Sequence, residues 1–404
     1  MTTTANINLA MHKKMRLLTS LALTAVLTAC GGGSSDSAPT TPTTPTTPTT
    51  PTTPTTPTTP VGSIDDQFGL WLTDIAANHV LVGYQKLQDS ASVLKQQSEG
   101  FCAVIEPSES DLDELKQVWR DTMSDWQTIQ WLKVGPVLED TRNFRLHYWP
   151  DNNDSVGRGV SKILSTSEAV NEAYIAKQSV GAQGLPALEQ LLYPIASQDS
   201  LLIASDKEKR CQAVTAISAN VATITTAIND GWQPSGGNYY AQFTEGTGDF
   251  TGQKDAVEEV VTNWVEQLEL VKDEKMLVPL GNASPGLPLE AEHRLSDSTV
   301  ISIQQNVAAF KVIYTAGDGY GFDNILNDYL EQNSIANEML AAIDASIEET
   351  TNLQGSYDEL LKTAEGRATI DANINAIRAI RDILTVDFVQ ATDINIGFNA
   401  NDGD

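Results

Sequence analysis

From about residue 61 onward, apolar side chains return every three or four positions and almost never every two. Phe68, Leu72, Ile75, Leu81, Tyr84, Leu87, Ala91 and Leu94 form one such stripe, and Ser63-Ile64-Asp65-Asp66 sets a capping hydroxyl and two acids ahead of it. The pattern predicts a helix that runs to about Gln97 and ends near Gly100. A second helix is predicted over about Ser110–Leu132, carrying Leu112, Leu115, Val118, Trp119, Trp126 and Ile129, with Gly135-Pro136 as its stop. Shorter helices follow at about Ser161–Lys177 and Pro186–Tyr193, then a long one at about Ser205–Asn229. A further set is predicted at Gly252–Lys275, Thr299–Ala316, Phe322–Tyr329, Ser334–Asn352 and Arg367–Val386. Between these, Val137–Gly159 and Val278–Ser298 are too irregular for single helices. No run of alternating β-branched residues is long enough to build a sheet. The expected fold is all-α with two helical bundles, residues 63–233 and 251–398. The Gly/Pro/Ser-rich stretch 234–250 is read as their joint, and 399–404 as a tail.

The N-terminus reads differently. Lys13, Lys14 and Arg16 precede the apolar run Leu17–Leu27, which is too short to remain as a membrane span. It closes in Leu27-Thr28-Ala29-Cys30, the pattern of a bacterial lipobox, so residues 1–29 are expected to be a cleaved signal and Cys30 the lipidated residue. The lipid on Cys30 is the expected membrane anchor, and Gly31 after it favours the outer membrane, facing the periplasm. Residues 30–62 contain Thr-Thr-Pro repeats, which fix φ and offer nothing to bury. They are expected to act as a semi-rigid spacer of roughly 3 Å per residue.

Charge narrows the partners. There are 53 acidic and 25 basic residues, a net charge of −28, and loss of the leader's three basic residues takes this to −31. Such a surface repels nucleic acid and attracts cations or a basic partner. Besides Cys30, only Cys102 and Cys211 remain, and in an oxidising compartment they are expected to pair. The chain has no P-loop, dinucleotide fingerprint, Cys-x-x-Cys or nucleophilic-serine motif.

Several landmarks together resemble the imelysin family, nominal metallopeptidases grouped with iron-regulated protein A and iron-uptake lipoproteins. They include Asn78-His79-Val80-Leu81-Val82-Gly83-Tyr84, Phe101-Cys102, Trp119 and Trp126, Gly135-Pro136-Val137, and Tyr148-Trp149-Pro150-Asp151. Glu292-His293-Arg294-Leu295-Ser296 and Gly317-Asp318-Gly319-Tyr320-Gly321-Phe322 continue the series. Gly184-Leu185-Pro186-Ala187-Leu188-Glu189 stands where the family has Gly-x-His-x-x-Glu, with Pro186 in place of the histidine. A histidine and a glutamate one helical turn apart can share a cation, whereas proline has no side-chain donor and suits the first turn of a helix instead. Glu189 is therefore read as either paired with Arg145 or Arg142 or binding a cation.

The candidate metal ligands are Glu189, Asp140, His147, Asp151, Glu292 and His293, a carboxylate-rich set that favours iron or another hard divalent or trivalent cation. What the resemblance implies is a non-catalytic lipoprotein of iron uptake, binding a metal ion or metal-bearing partner between its bundles. A periplasmic or outer-membrane iron-transport component is the expected partner. The competing expectations are a metallopeptidase, weakened by Pro186, and an interaction module without metal.

Overall fold

The computed structural model describes residues 62–397, which contain helices and connecting turns and no strand. The leader, Cys30, the Thr/Pro spacer and the tail from residue 399 lie outside the described residues. Ser63 caps the first helix reciprocally, its hydroxyl accepting from the Asp66 N–H while the Asp66 carboxylate accepts from the Ser63 N–H. That helix comprises α1 (Ile64–Ile75) and α2 (Leu81–Ala103), joined by one widened π turn over Ala76–Val80. Ser108 and Asp111 repeat the same capping box at the start of α3 (Glu109–Ile129). Four more helices complete the first half up to the long central α8: α4 (Arg142–Leu146), α5 (Ser155–Ser165), α6 (Glu172–Ile175) and α7 (Leu185–Leu192), followed by α8 (Lys207–Trp232). Here α2 lies along both α3 and α8 and buries Tyr84, Leu87, Ala91, Leu94 and Phe101.

The second half contains α9 (Tyr239–Glu245), α10 (Gln253–Glu269), α11 (Val278–Leu280), α12 (Thr299–Thr315) and α13 (Phe322–Asn324). It ends with α14 (Asn333–Thr350), α15 (Tyr357–Lys362), α16 (Ala364–Ile383) and α17 (Val389–Thr392). In this half α14 packs on α12 and α16. The first helix takes part here too: α1 packs on α9 and α10, Trp71 stacks on Phe322 at 4.2 Å, and its indole donates to the Ile313 carbonyl. With α3 also packed against α12, the two helical sets are tied together at more than one place.

Three local expectations change. The helix predicted over 161–177 is two short ones, α5 and α6, because Thr166 turns extended and Asn171 caps a fresh start through the Tyr174 N–H. The stretch 234–250 is no bare joint, since α9 lies inside it and Tyr239, Phe243 and Phe250 pack around Trp232 or each other. The helix α15 has no counterpart among the predicted elements.

Cys102, near the end of α2, is disulfide-bonded to Cys211 in α8, with Cα atoms 5.5 Å apart and 109 positions between them. Closing a loop of that length removes entropy mainly from the unfolded chain. Replacing both cysteines by serine is expected to lower the unfolding free energy by about 4 kcal/mol, read as a drop in urea midpoint. An unchanged midpoint would show that this closure adds nothing to stability.

Candidate metal centre

The side chains that meet at the centre of the molecule come from four separate parts of the chain. His147 follows α4, Gln127 stands on α3, Lys275 lies in the π-helical turn Leu270–Leu277 after α10, and Glu292 and His293 precede α12. Each position has a local cause. Gly184, the N-cap of α7, sits so close to the Leu146 carbonyl that a Cβ there would lie 2.1 Å from its oxygen, so glycine lets α7 pack directly beside His147. Pro186 fills the first turn of α7, the structural role expected for it. His293 adopts a left-handed backbone, φ 52°, an uncommon state for a non-glycine residue that the fold holds in place. A Ser298 N–H to His293 carbonyl bond, and the Thr299 hydroxyl on the Glu292 carbonyl, close that turn.

His147, Glu292 and His293 converge, only 7, 1 and 5 % exposed. The two Nε2 atoms lie 3.2 Å apart, and His147 Nε2 is 3.5 Å from Glu292 Oε1. Lys275, fully buried, places its Nζ 2.9 Å from the other oxygen, Oε2, and donates to Gln127 Oε1 and Asn306 Oδ1, both at 2.7 Å. Gln127 Nε2 donates to Glu292 Oε1 at 3.3 Å and lies 3.4 Å from His293 Nε2. Trp119 stands edge-on to the His293 ring and Trp126 is tilted over His147, so the group is walled by indoles.

Electrostatics follow from the burial. Loss of water pushes the His147 imidazole down to about 3, a fall that Glu292 opposes and that His293 and Lys275 reinforce. His147 is therefore neutral at physiological pH, with one of its two ring nitrogens unprotonated and able to take a metal. Burial alone would raise Glu292, but Lys275 and the two imidazoles hold it below the ordinary carboxylate range. Burial likewise draws Lys275 down, against the pull of Glu292. The carboxylate and the ammonium thus sustain each other's charge in a dry interior.

Glu189 is 6 % exposed and faces this group from α7. Neither arginine reaches it: Arg145 donates to Gln183 and Asn220, and Arg142 to Glu139 and the Pro136 carbonyl. Its partners are instead the Ser296 N–H at 2.9 Å, the Ser296 hydroxyl at 2.8 Å, and His293 Nδ1 at 3.4 Å. A carboxylate on Nδ1 holds the tautomer that leaves Nε2 with its lone pair, the arrangement by which outer carboxylates orient ligating histidines. Glu189 therefore stands behind His293, outside the converging trio. It also lines a cavity of about 390 Å³, together with Pro186, Asp151 and His293.

The remaining candidates fall outside the trio. Asp151 accepts from the Ser155 and Val156 N–H groups at 2.8 Å each and so caps α5 from the cavity wall. Asp140 is exposed at the surface, 4.0 Å from Arg142. Lys275, Gln127 and Asn306 were not singled out from sequence. The one available signal was a polar Gln127 and Lys275 within otherwise apolar helical stripes.

Comparison with known proteins places this geometry in context. The family model described as Imelysin matches residues 80–384. An imelysin-like protein from Psychrobacter arcticum has the same fold, with a TM-score of 0.69 and 19 % identity over 84 % of this chain and 99 % of its own. A protein from Parabacteroides distasonis named as an iron-regulated protein A precursor gives a TM-score of 0.65 and 15 % identity over 81 % of this chain and 95 % of its own. No curated protein matches the sequence.

The interdependence of Lys275 and Glu292 can be measured. Lys275→Met alone leaves the carboxylate buried and unpaired and is expected to cost about 3–5 kcal/mol. Adding Glu292→Gln should recover most of that loss in guanidinium unfolding. Strictly additive losses would show that the two groups do not depend on each other.

Proposed function

The chain belongs to the imelysin family, and we propose that it serves iron handling by binding a divalent metal ion between His147, Glu292 and His293. One distance carries the reading. Nitrogens bound to a tetrahedral metal at roughly 2.1 Å stand about 3.4 Å apart, and the two Nε2 atoms here are 3.2 Å apart with the Glu292 carboxylate beside them. A small outward adjustment of the two imidazoles is enough to admit an ion. The metal displaces the contacts from Gln127 Nε2 and the hydrogen bond between the two rings, whose shared proton has to leave Nε2 as the ion binds.

Two imidazoles and one carboxylate form the donor set of non-haem ferrous sites and also suit zinc. That is softer than the carboxylate-rich set expected from sequence, so ferrous iron is the favoured ion and zinc its competitor. The relative named as an iron-regulated protein lends the iron reading support. Lys275 supplies the counter-charge to Glu292 before an ion arrives and lowers the net charge the metal finds afterwards.

The same donor set favours a second reading, a zinc peptidase. A catalytic zinc keeps one position open to water and substrate, whereas these three side chains are 7 % exposed or less, with His293 alone of the three lining a cavity and Trp119 and Trp126 against the two rings. Binding is therefore preferred to hydrolysis. Within this reading the protein is a lipoprotein held by Cys30 on the outer membrane, facing the periplasm, and it exchanges metal with an iron-transport partner there.

Titration calorimetry under anaerobic conditions is expected to show ferrous ion binding at one site. His293→Ala or His147→Ala should abolish it, and Glu189→Gln should weaken it about 10–100-fold, as loss of an outer carboxylate does elsewhere. Equal binding by all four proteins would remove the proposed site, and chelator-sensitive cleavage of casein would favour the peptidase. For the anchor, radiolabelled palmitate is expected on the wild type and absent from Cys30→Ser, which should leave the membrane fraction. Membrane retention of the unlabelled variant would refute lipid attachment at that cysteine.

A further inference from the structure

Arg294, next to His293, is half-buried and lies in the walls of two adjoining cavities of about 390 and 420 Å³, which also share Asp154, Gln190 and Leu295. Among the described residues it is the one arginine with no hydrogen bond or ion pair. The contrast within the same cavity is direct, because Arg210 is engaged by Asp199 and Asp206. In a chain with 53 acidic and 25 basic residues, a guanidinium without a carboxylate is conspicuous. Its planar fork of N–H donors matches a carboxylate in bidentate fashion.

The surroundings limit what can bind there. The inner wall of the first cavity includes Glu189 and His293, the residues that lead to the trio. Asp151 and Glu189 are already engaged, by the N–H groups of α5 and by Ser296, while Asp154 and Glu290 stand exposed in the same lining. A free polyanion meets repulsion from these acids, and a bare cation meets Arg294. A ligand that carries both charges meets neither obstacle, provided its positive pole lies toward Glu189 and His293 and its anionic arm on Arg294.

We infer that the cavity receives its metal as a carboxylate-bearing chelate, with Arg294 holding a carboxylate arm while the metal end faces the His293–Glu189 wall. This rests on the metal reading of the trio, and the test separates the two. Wild type and Arg294→Gln are titrated by calorimetry with ferrous ion alone, citrate alone, the iron–citrate complex, and glycine as a zwitterion without metal. Circular dichroism confirms that the variant is folded. Iron–citrate is expected to bind wild type about tenfold more tightly than iron alone. Arg294→Gln should lose that excess while binding bare iron normally, and Arg294→Lys should restore part of it. If iron alone binds but citrate adds nothing, or Arg294→Gln binds the complex as wild type does, the chelate inference is overturned and the metal site survives. If citrate or glycine binds and iron alone does not, both readings fall, because the cavity then holds an organic anion or zwitterion with no metal.

Discussion

A carboxylate with 1 % exposure has to be compensated from within the protein, and that requirement organises the centre of this molecule. Water is not available to Glu292, so Lys275, Gln127 and His147 take its place. Meeting that need fixes the position of four chain segments at once: α3, the residues after α4, the π turn after α10, and the strained turn before α12. The π turn matters for this reason. Its extra residue per turn shifts the register of the helix where Lys275 must face inward. The left-handed His293 follows from the same demand, since only that turn brings adjacent residues 292 and 293 both toward the centre.

The polar centre is surrounded by material that is easily explained. Trp71, Trp119, Trp131, Trp232 and Trp264 are fully buried, and the helices around them bury their stripes at ordinary helical spacing. The disulfide fastens the end of α2 to α8, away from the polar centre, and so contributes to stability without entering the site. Trp119 serves both purposes, donating to the Leu185 carbonyl in the core while its ring edges onto His293. The division of labour is plain: apolar periodicity sets where the helices lie, and buried charge sets how they are registered against one another.

Replacement of the family histidine by Pro186 acquires a different meaning in three dimensions. Read along the chain, the change removes a ligand one turn from Glu189 and breaks a metal motif. In the folded protein, Glu189 instead supports His293, which arrives from a segment more than a hundred positions away. The imidazoles that matter are His147 and His293, separated by 146 positions. Proline at 186 keeps the start of α7 rigid, and Gly184 keeps it close to His147. The helix thus still positions the site without donating a histidine to it.

The all-α class, most helix positions and the pairing of Cys102 with Cys211 were legible in the sequence, because helical periodicity and capping are local and Cys102 and Cys211 are the two cysteines of the helical part. The family resemblance was legible for the same reason, being carried by short contiguous motifs. The split of 161–177 into two helices and the burial of α9 were not, since both depend on what the neighbouring helices offer to pack against. Within the site, sequence could name His147, Glu292, His293 and Glu189 as candidates, but it also named Asp140 and Asp151, which the fold puts to other uses. It could not supply Lys275 or Gln127, because a lysine or glutamine on a helix looks the same whether it faces water or a buried carboxylate. Side-chain chemistry is written residue by residue, while convergence and desolvation arise only when distant segments close around one another, and that step was left to the tertiary structure.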